Sequence, residues 1–194
     1  MKLANPAPLG LCGFALTTWM LSMVNAGWFT GTSVPLVLAS AFAFGGAAQF
    51  AAGLMEMPRG NTFGFVAFCA YGAFWWSFAL LLQFYAATVP PAFIGWWLVM
   101  WGVFTTIMWF ASLALNRALQ MIFLALLITF YLLGAADLFA MPALHQVGGY
   151  MGLITAALAF YLAAAEVINE THGRTVLPVG LPTPSLAGLQ SRLA

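Results

Sequence analysis

After Lys2 the chain carries no charged side chain until Glu56, and between Arg59 and Glu166 the only charges are Arg117 and Asp137, set apart by apolar stretches about as long as a membrane helix needs or longer. A hydrocarbon core of about 30 Å is crossed by about 20 apolar residues in a helix. The alternating ten-residue pattern of a membrane strand is absent, so helix is the expected element. Charges, prolines and glycines punctuate the pattern into six spans, roughly Pro8–Phe29, Ser33–Met55, Thr62–Ala86, Ala92–Leu115, Leu119–Leu138 and Val147–Val167. Residues 1–170 then form one transmembrane domain. Residues 171–194, rich in Pro and Gly, are expected to be an irregular tail.

The basic residues orient the spans. Lys2, Arg59, Arg117, Arg174 and Arg192 fall at the N-terminus, in loops two and four, and in the tail, which six spans place on one side. By the positive-inside rule both termini are cytoplasmic. Glu56, Glu166 and Glu170 then sit at the inner face, with Asp137 and His145 outside. Composition agrees: 64% of the 194 residues are hydrophobic and 5% charged, against about 25% charged in a soluble domain. The fold class is therefore all-α integral membrane, a bundle of six transmembrane helices per protomer.

Several function classes lack their residues. The spans hold no deep acid, base or histidine of the kind a proton pump uses. His145 and His172 lie at opposite ends, and no paired carboxylates, nucleophile–base pair or metal cluster occurs, so neither catalysis nor a cofactor is expected. Cys12 and Cys69 read as small core residues, and no basic cluster points to nucleic acid. Polar side chains at membrane depth say more, because each must be paired or face water. Thr18, Ser22 and Asn25 share a helical face with Phe14. Ala39, Ala43, Gly46, Gln49 and Gly53 make a small-residue face carrying one amide. Tyr71 and Trp75 stand one turn apart, and Gly152, Ala156, Ala159 and Ala163 lead down to Glu166. Trp28, Trp96 and Trp97 read as interfacial anchors. Gly13 and Thr17 are echoed by Gly102 and Thr106, a hint of three-plus-three duplication. What remains is a narrow, mildly polar passage with aromatic constrictions, suited to a small neutral solute or a briefly desolvated anion.

The segment NPAPLGLCGF (Asn5 to Phe14) starts a helix sharply. Asn5 accepts from the first turn, and Pro6 and Pro8 occupy positions whose N–H would be orphaned. It also resembles the signature of the acetate uptake transporter family, the YaaH-like succinate–acetate permeases of bacteria and their archaeal and fungal relatives. EMPRGNTFGFVAFCAYGAFWW, WGVFT, RALQ and EVINETHGRTVLPVG resemble further family blocks in the same order. The resemblance implies a homohexamer in the cell inner membrane, around a lipid-filled centre, with one path per protomer. It implies passage of acetate, and in some members succinate or other short carboxylates, accompanied by protons. It assigns a pore constriction to Phe14, Tyr71 and Leu126, an inner-mouth amide to Asn5 and a substrate-size position to Ala159. Thr18, Ser22, Asn25, Gln49 and Trp75 are the further substrate-path residues, and Glu166 or His145 would handle the proton. Loop three, Ala86 to Ala92, is shorter than in enterobacterial relatives. The competing reading is a passive channel for small neutral solutes such as urea, ammonia or water. A non-transporting membrane subunit, with the polar faces packed helix on helix, is a third.

Overall fold

The computed structural model describes residues 3–180. Six helices, each long and apolar enough to cross a membrane, make up most of it: α1 (Ala7–Asn25), α2 (Gly31–Arg59), α3 (Thr62–Tyr85), α4 (Pro91–Ser112), α5 (Arg117–Phe139) and α6 (Pro142–His172). Among the described residues there is no strand.

The helix ends follow from local chemistry. Asn5 Oδ1 accepts from the Ala7 N–H at 3.2 Å. Asn61 and Asn116 do the same for Gly64 (3.0 Å) and Leu119 (2.9 Å), so α1, α3 and α5 each begin beside an asparagine. α1 stops at Asn25, short of the expected Phe29. Gly27 adopts a left-handed φ of 81°, and the Gly27 and Trp28 amides turn back onto Val24 and Met23, a glycine-closed helix end. α6 runs past the expected span at both ends. Its 31 residues are about 46 Å long at 1.5 Å per residue, so its ends stand outside the hydrocarbon. Beyond it, residues 173–180 fold back rather than trailing away. Asn169 Oδ1 accepts from Val176 (2.7 Å) and Leu177 (2.9 Å), and the Val179 carbonyl accepts from Ala118 (3.0 Å) at the start of α5. The rest of the expected tail, 181–194, lies outside the described residues.

α2 departs most from its expected pattern. Between Ala41 and Ala48 it widens to π-helical turns, which carry more residues per turn than the 3.6 of an α-helix. The face projected through Ala39, Ala43, Gly46, Gln49 and Gly53 is therefore broken: Ala39 and Ala43 are exposed, while Gly46, Gln49 and Gly53 are buried. The carbonyl of Phe42, within the wide turns, accepts from Trp76 Nε1 at 3.1 Å.

The helices stand in a ring in chain order. α1 packs against α2 and α6, α3 against α2, and α5 against α4 and α6. α3 and α4 approach mainly through aromatic side chains, with Phe74 stacked on Trp97 at 5.1 Å and 13°. Close backbone approach elsewhere depends on glycine. A Cβ built at Gly95 of α4 would lie 2.9 Å from the Gly134 carbonyl of α5, and one at Gly13 would lie 2.5 Å from the Phe44 carbonyl of α2. The Gly13/Thr17 echo has a geometric counterpart, since Thr17 and Thr106 each donate to the glycine carbonyl one turn back (2.9 and 2.8 Å). Packing breaks that symmetry, because α1 and α6 are tightly apposed whereas α3 and α4 are not. The outside of the ring is apolar, with Leu36, Phe93, Trp96, Ile107 and Phe110 all exposed. This is a surface for lipid or for other protomers. Arg59, Arg117 and the helix starts of α1, α3 and α5 share one end of the bundle, called here the basic end; Asp137 and His145 mark the far end.

Candidate functional site

Phe14 of α1, Tyr71 of α3 and Leu126 of α5 come from the three parallel helices of the ring, and all are buried. The Phe14 and Tyr71 rings lie 5.9 Å apart. Tyr71 is held in place on its far edge. Its hydroxyl meets Thr105 Oγ1 at 2.9 Å, and Thr105 donates onward to the Trp101 carbonyl at 2.7 Å. The rings of Trp101, Phe104 and Phe123 surround it at 5.5 to 6.2 Å. A phenol caged in this way cannot swing without breaking both packing and a buried hydrogen bond.

Two cavities lie on either side of this cluster. The basic-end cavity, about 400 Å³, is walled by residues that include Leu11, Gln49, Asn61, Asn116, Tyr71 and Glu166. The far-end cavity, about 310 Å³, is walled by residues that include Thr18, Ser22, Asn25, Trp75, Thr129 and His145. Either has room for several water molecules, at about 30 Å³ of liquid volume each. Phe14 and Leu126 belong to both walls, and Tyr71 to the basic-end one. The lumen of the ring is thus two chambers meeting at a waist of one aromatic ring and one aliphatic side chain.

The polar groups of the chambers are left open by the protein itself. Thr18 Oγ1 and Trp75 Nε1 in the far-end chamber, and Gln49 Oε1 in the basic-end chamber, are buried with no hydrogen-bond partner. Burying such a group unpaired costs about 1–3 kcal/mol, and each belongs to a residue that lines a chamber. Trp75 can only donate, while Thr18 and the Gln49 amide can donate or accept. Ser22 and Asn25 also line the far-end chamber. Thr129, which sequence reasoning passed over, lies there with its hydroxyl bonded to the Ala125 carbonyl at 2.8 Å. Trp97 is a second miss. It was expected at the interface as an anchor, but it stacks on Phe74 and lines the far-end chamber.

Other expected residues stand around the lumen or behind it. Asn5 does not line either chamber; its Nδ2 donates to Glu166 Oε2 at 2.9 Å, tying the start of α1 to α6. Glu166 does face the basic-end chamber. Ala159 is fully buried in the core beside the waist helices and lines neither chamber. Glu56 is the largest surprise. The charge pattern places it at the inner face of the membrane, and within the bundle its exposure is 0%. Its Oε2 accepts from Asn61 Nδ2 at 3.0 Å and lies 3.4 Å from Arg59 Nε, while Arg59 Nη1 donates to the carbonyls of Leu3 (3.0 Å) and Ala4 (2.7 Å). Glu56 follows Gln49 and Gly53 at regular helical spacing on the buried face of α2, beyond the wide turns.

Electrostatically, the ends of the path differ from its middle. At the basic end, the positive N-terminal dipoles of α1, α3 and α5 converge around the chamber that Ala7, Asn61 and Asn116 line, which favours an anion there. Ionisable acids and bases along the chambers are confined to Glu166 at one end and the Asp137–His145 pair at the other. Among the described residues, no cluster of histidine, cysteine and acid could hold a metal. This arrangement has room for a small solute and, among the described residues, no group placed to make or break a bond in one.

Comparison with known proteins follows the same line. The model of the GPR1/FUN34/yaaH family matches residues 1–183. The succinate-acetate/proton symporter SatP of Escherichia coli K12 is 45% identical over 183 residues, covering 92% of this chain and 96% of SatP. Acetate permease A of Emericella nidulans is 38% identical over 197 residues, 92% of this chain and 66% of the permease. The solved structure of the bacterial acetate channel SatP superposes with a TM-score of 0.89 at 44% identity, covering 92% of this chain and all of that one.

Proposed function

The chain belongs to the GPR1/FUN34/yaaH family, and from that premise we propose that it carries acetate, with succinate and other short carboxylates, across a membrane through a path inside each protomer. The observation that carries this reading is the pair of chambers meeting at Phe14 and Leu126. Relatives named as an acetate channel, an acetate permease and a succinate-acetate/proton symporter supply the solute class.

The waist sets the form in which the solute passes. Taking a bare carboxylate out of water costs on the order of several kcal/mol even after relaxation, and neither Phe14 nor Leu126 offers a hydrogen bond in return. A simple carboxylic acid titrates near the value of about 4.3 for a glutamate side chain, so about one molecule in ten is neutral at a pH of about 5.3. The neutral acid crosses the waist at least cost. On the far side it meets Thr18 and Trp75, and on the basic side Gln49, whose open polar groups replace lost water. Tyr71 borders the waist from the basic-end chamber. Ser22 and Asn25 extend the polar wall, and Asn5 holds Glu166 where a solute arriving in the basic-end chamber meets its carboxylate. In this reading Glu166 at one mouth and His145 at the other exchange the accompanying proton. Ala159 sets solute size indirectly, by fixing how closely α6 seats behind the waist.

In this proposal the basic end faces the cytoplasm, with both termini inside and the protein in the inner membrane; the arginines at that end support the orientation through the positive-inside rule. The exposed apolar outer surface is the face on which protomers assemble, as a homohexamer in this proposal. Reconstitution tests the whole. Proteoliposomes should take up labelled acetate saturably, in competition with succinate, and faster when the outside is acidified. Urea or ammonia flux without acetate flux would replace this reading with the neutral-solute channel. Acetate uptake indifferent to pH would leave a channel and remove the proton coupling.

A further inference from the structure

At the far end of the path, α5 and α6 are joined by a connection of two residues, Ala140 and Met141. Ala140 closes α5 in the left-handed conformation, φ 51°, with the Met141 amide returned to the Ala136 carbonyl at 2.9 Å, and Pro142 opens α6 at once. This turn sets the last turn of α5 against the first of α6, bringing Asp137 Oδ1 to 3.1 Å from His145 Nε2. α6 is seated there by α1, since Gln146 Nε2 donates to the Ala26 carbonyl at 3.3 Å. Both side chains wall the far-end chamber.

The pair is poorly placed for stability. The negative end of a helix dipole disfavours an acid and the positive end a cation, yet Asp137 lies at the C-terminal end of α5 and His145 at the N-terminal end of α6. A partly exposed pair contributes little in any case, and these side chains are 22% and 40% exposed. What the pair does control is the charge of the mouth. Among the described residues, Asp137 is the only acid and His145 the only ionisable nitrogen base at this end. α1, α2, α3 and α4 face the chamber there with Asn25, Val34, Leu82 and Ile94. The phenols nearest this end are Tyr85, Tyr131, bonded to Thr106 at 3.0 Å, and Tyr150, bonded to the Trp28 indole at 3.4 Å. The charge of the mouth therefore turns on one imidazole.

Resting on the carboxylate-transport reading, we infer that Asp137 is a specificity-determining residue, a charge filter that rejects dianions in favour of monoanions, and that protonation of His145 lifts the filter. With the imidazole neutral, an entering carboxylate meets an uncompensated negative charge. At about 8 Å and an effective dielectric of about 60, that charge lowers entry of a monoanion roughly threefold and of a dianion roughly tenfold. With the imidazole charged, the pair is neutral and the two solutes enter alike. Imidazole makes that change within the range of about pH 5 to 8.

Two measurements on the full chain test this. Uptake into proteoliposomes, buffered at pH 7.5 on both sides, gives the succinate-to-acetate ratio. D137N is expected to raise it about threefold, and D137E to leave it as in the parent. A ratio unmoved by D137N while acetate uptake persists would overturn the filter. The second measurement does not depend on transport: a cysteine at Asn25, with Cys12 and Cys69 replaced by alanine, is reacted with a sulfonate-bearing and a neutral thiosulfonate. The sulfonate does not titrate, and thiol ionisation cancels in the rate ratio. That ratio is expected to rise between pH 7.5 and 6 with Asp137 and His145 present, and to stay flat in D137N and in H145Q. An equal rise in H145Q would overturn the role of the imidazole. Should the protein carry no acetate while this ratio still responds, the transport reading falls and the charge filter stands.

Discussion

Replacing Thr18 by valine separates the cost of an open polar group from its use. The hydroxyl is buried, lines the far-end chamber and has no partner within the protein, while valine keeps the volume and the branched Cβ. Removing the unpaired group should relieve up to about 1–3 kcal/mol of desolvation, less where water in the chamber already partners it. At roughly 2–4 °C per kcal/mol for a chain of this size, the unfolding midpoint should hold or rise by a few degrees. Transport should move the other way. A hydrogen bond to the neutral acid is worth about 0.5–1.5 kcal/mol, so its loss slows acetate uptake roughly 2- to 12-fold, at about 1.4 kcal/mol per tenfold. If the bond is made equally in the resting and crossing solute, the loss appears in the half-saturating concentration instead of the maximal rate. The assay pairs thermal unfolding in detergent with acetate uptake by proteoliposomes. A variant that loses several degrees of stability while its uptake is unchanged would refute the reasoning. In that event the hydroxyl is structural and makes no contact with the solute.

Other perturbations reach different parts of the path. Leu126→Ala widens the waist and should admit bulkier acids such as lactate; its stability cost should lie toward the low end of about 2–5 kcal/mol, since space already flanks the site. An unchanged substrate range would show that Leu126 does not limit passage. Glu166→Gln keeps an acceptor for Asn5 but removes the charge, and should retain acetate uptake while weakening its acceleration by acid severalfold. An unchanged pH profile would take Glu166 off the proton's route. Gly13→Ala drives a methyl to within 2.5 Å of the Phe44 carbonyl and should cost about 1–3 kcal/mol as an overpacked contact, read as a lower unfolding midpoint. An unaltered midpoint would mean that α1 and α2 separate freely there.

Much of this molecule was legible before its coordinates. A chain with 5% charged residues cannot cover itself with polar surface, so a membrane span for every long apolar run follows from composition and length alone. The helix starts were equally local. Asn5 beside Pro6 reads as such a start and caps Ala7; Asn61 and Asn116, not read as caps, do the same for their own neighbours. The Thr18, Ser22 and Asn25 face was read from a 3.6-residue period, and α1 keeps that period along its length.

The failures share a cause. α2 departs from the regular period through its wide turns, so counting along the chain misdirected Ala39 and Ala43, and the burial of Glu56 depends on how α2 packs against α3 at Gly64. Trp97 and Trp96 are indistinguishable as neighbours in a sequence; only the approach of α3 to α4 decides which one turns onto Phe74. The meeting of Asp137 with His145 depends on a left-handed alanine that no residue preference announces. Sequence by itself determined what short-range forces and solvent determine: which segments are long and apolar enough to enter lipid, how the first helix is capped, and how few charges accompany them. Which side chains face a common lumen was decided only when six helices closed into a ring, because that choice rests on helix phase and on packing between segments far apart in the chain.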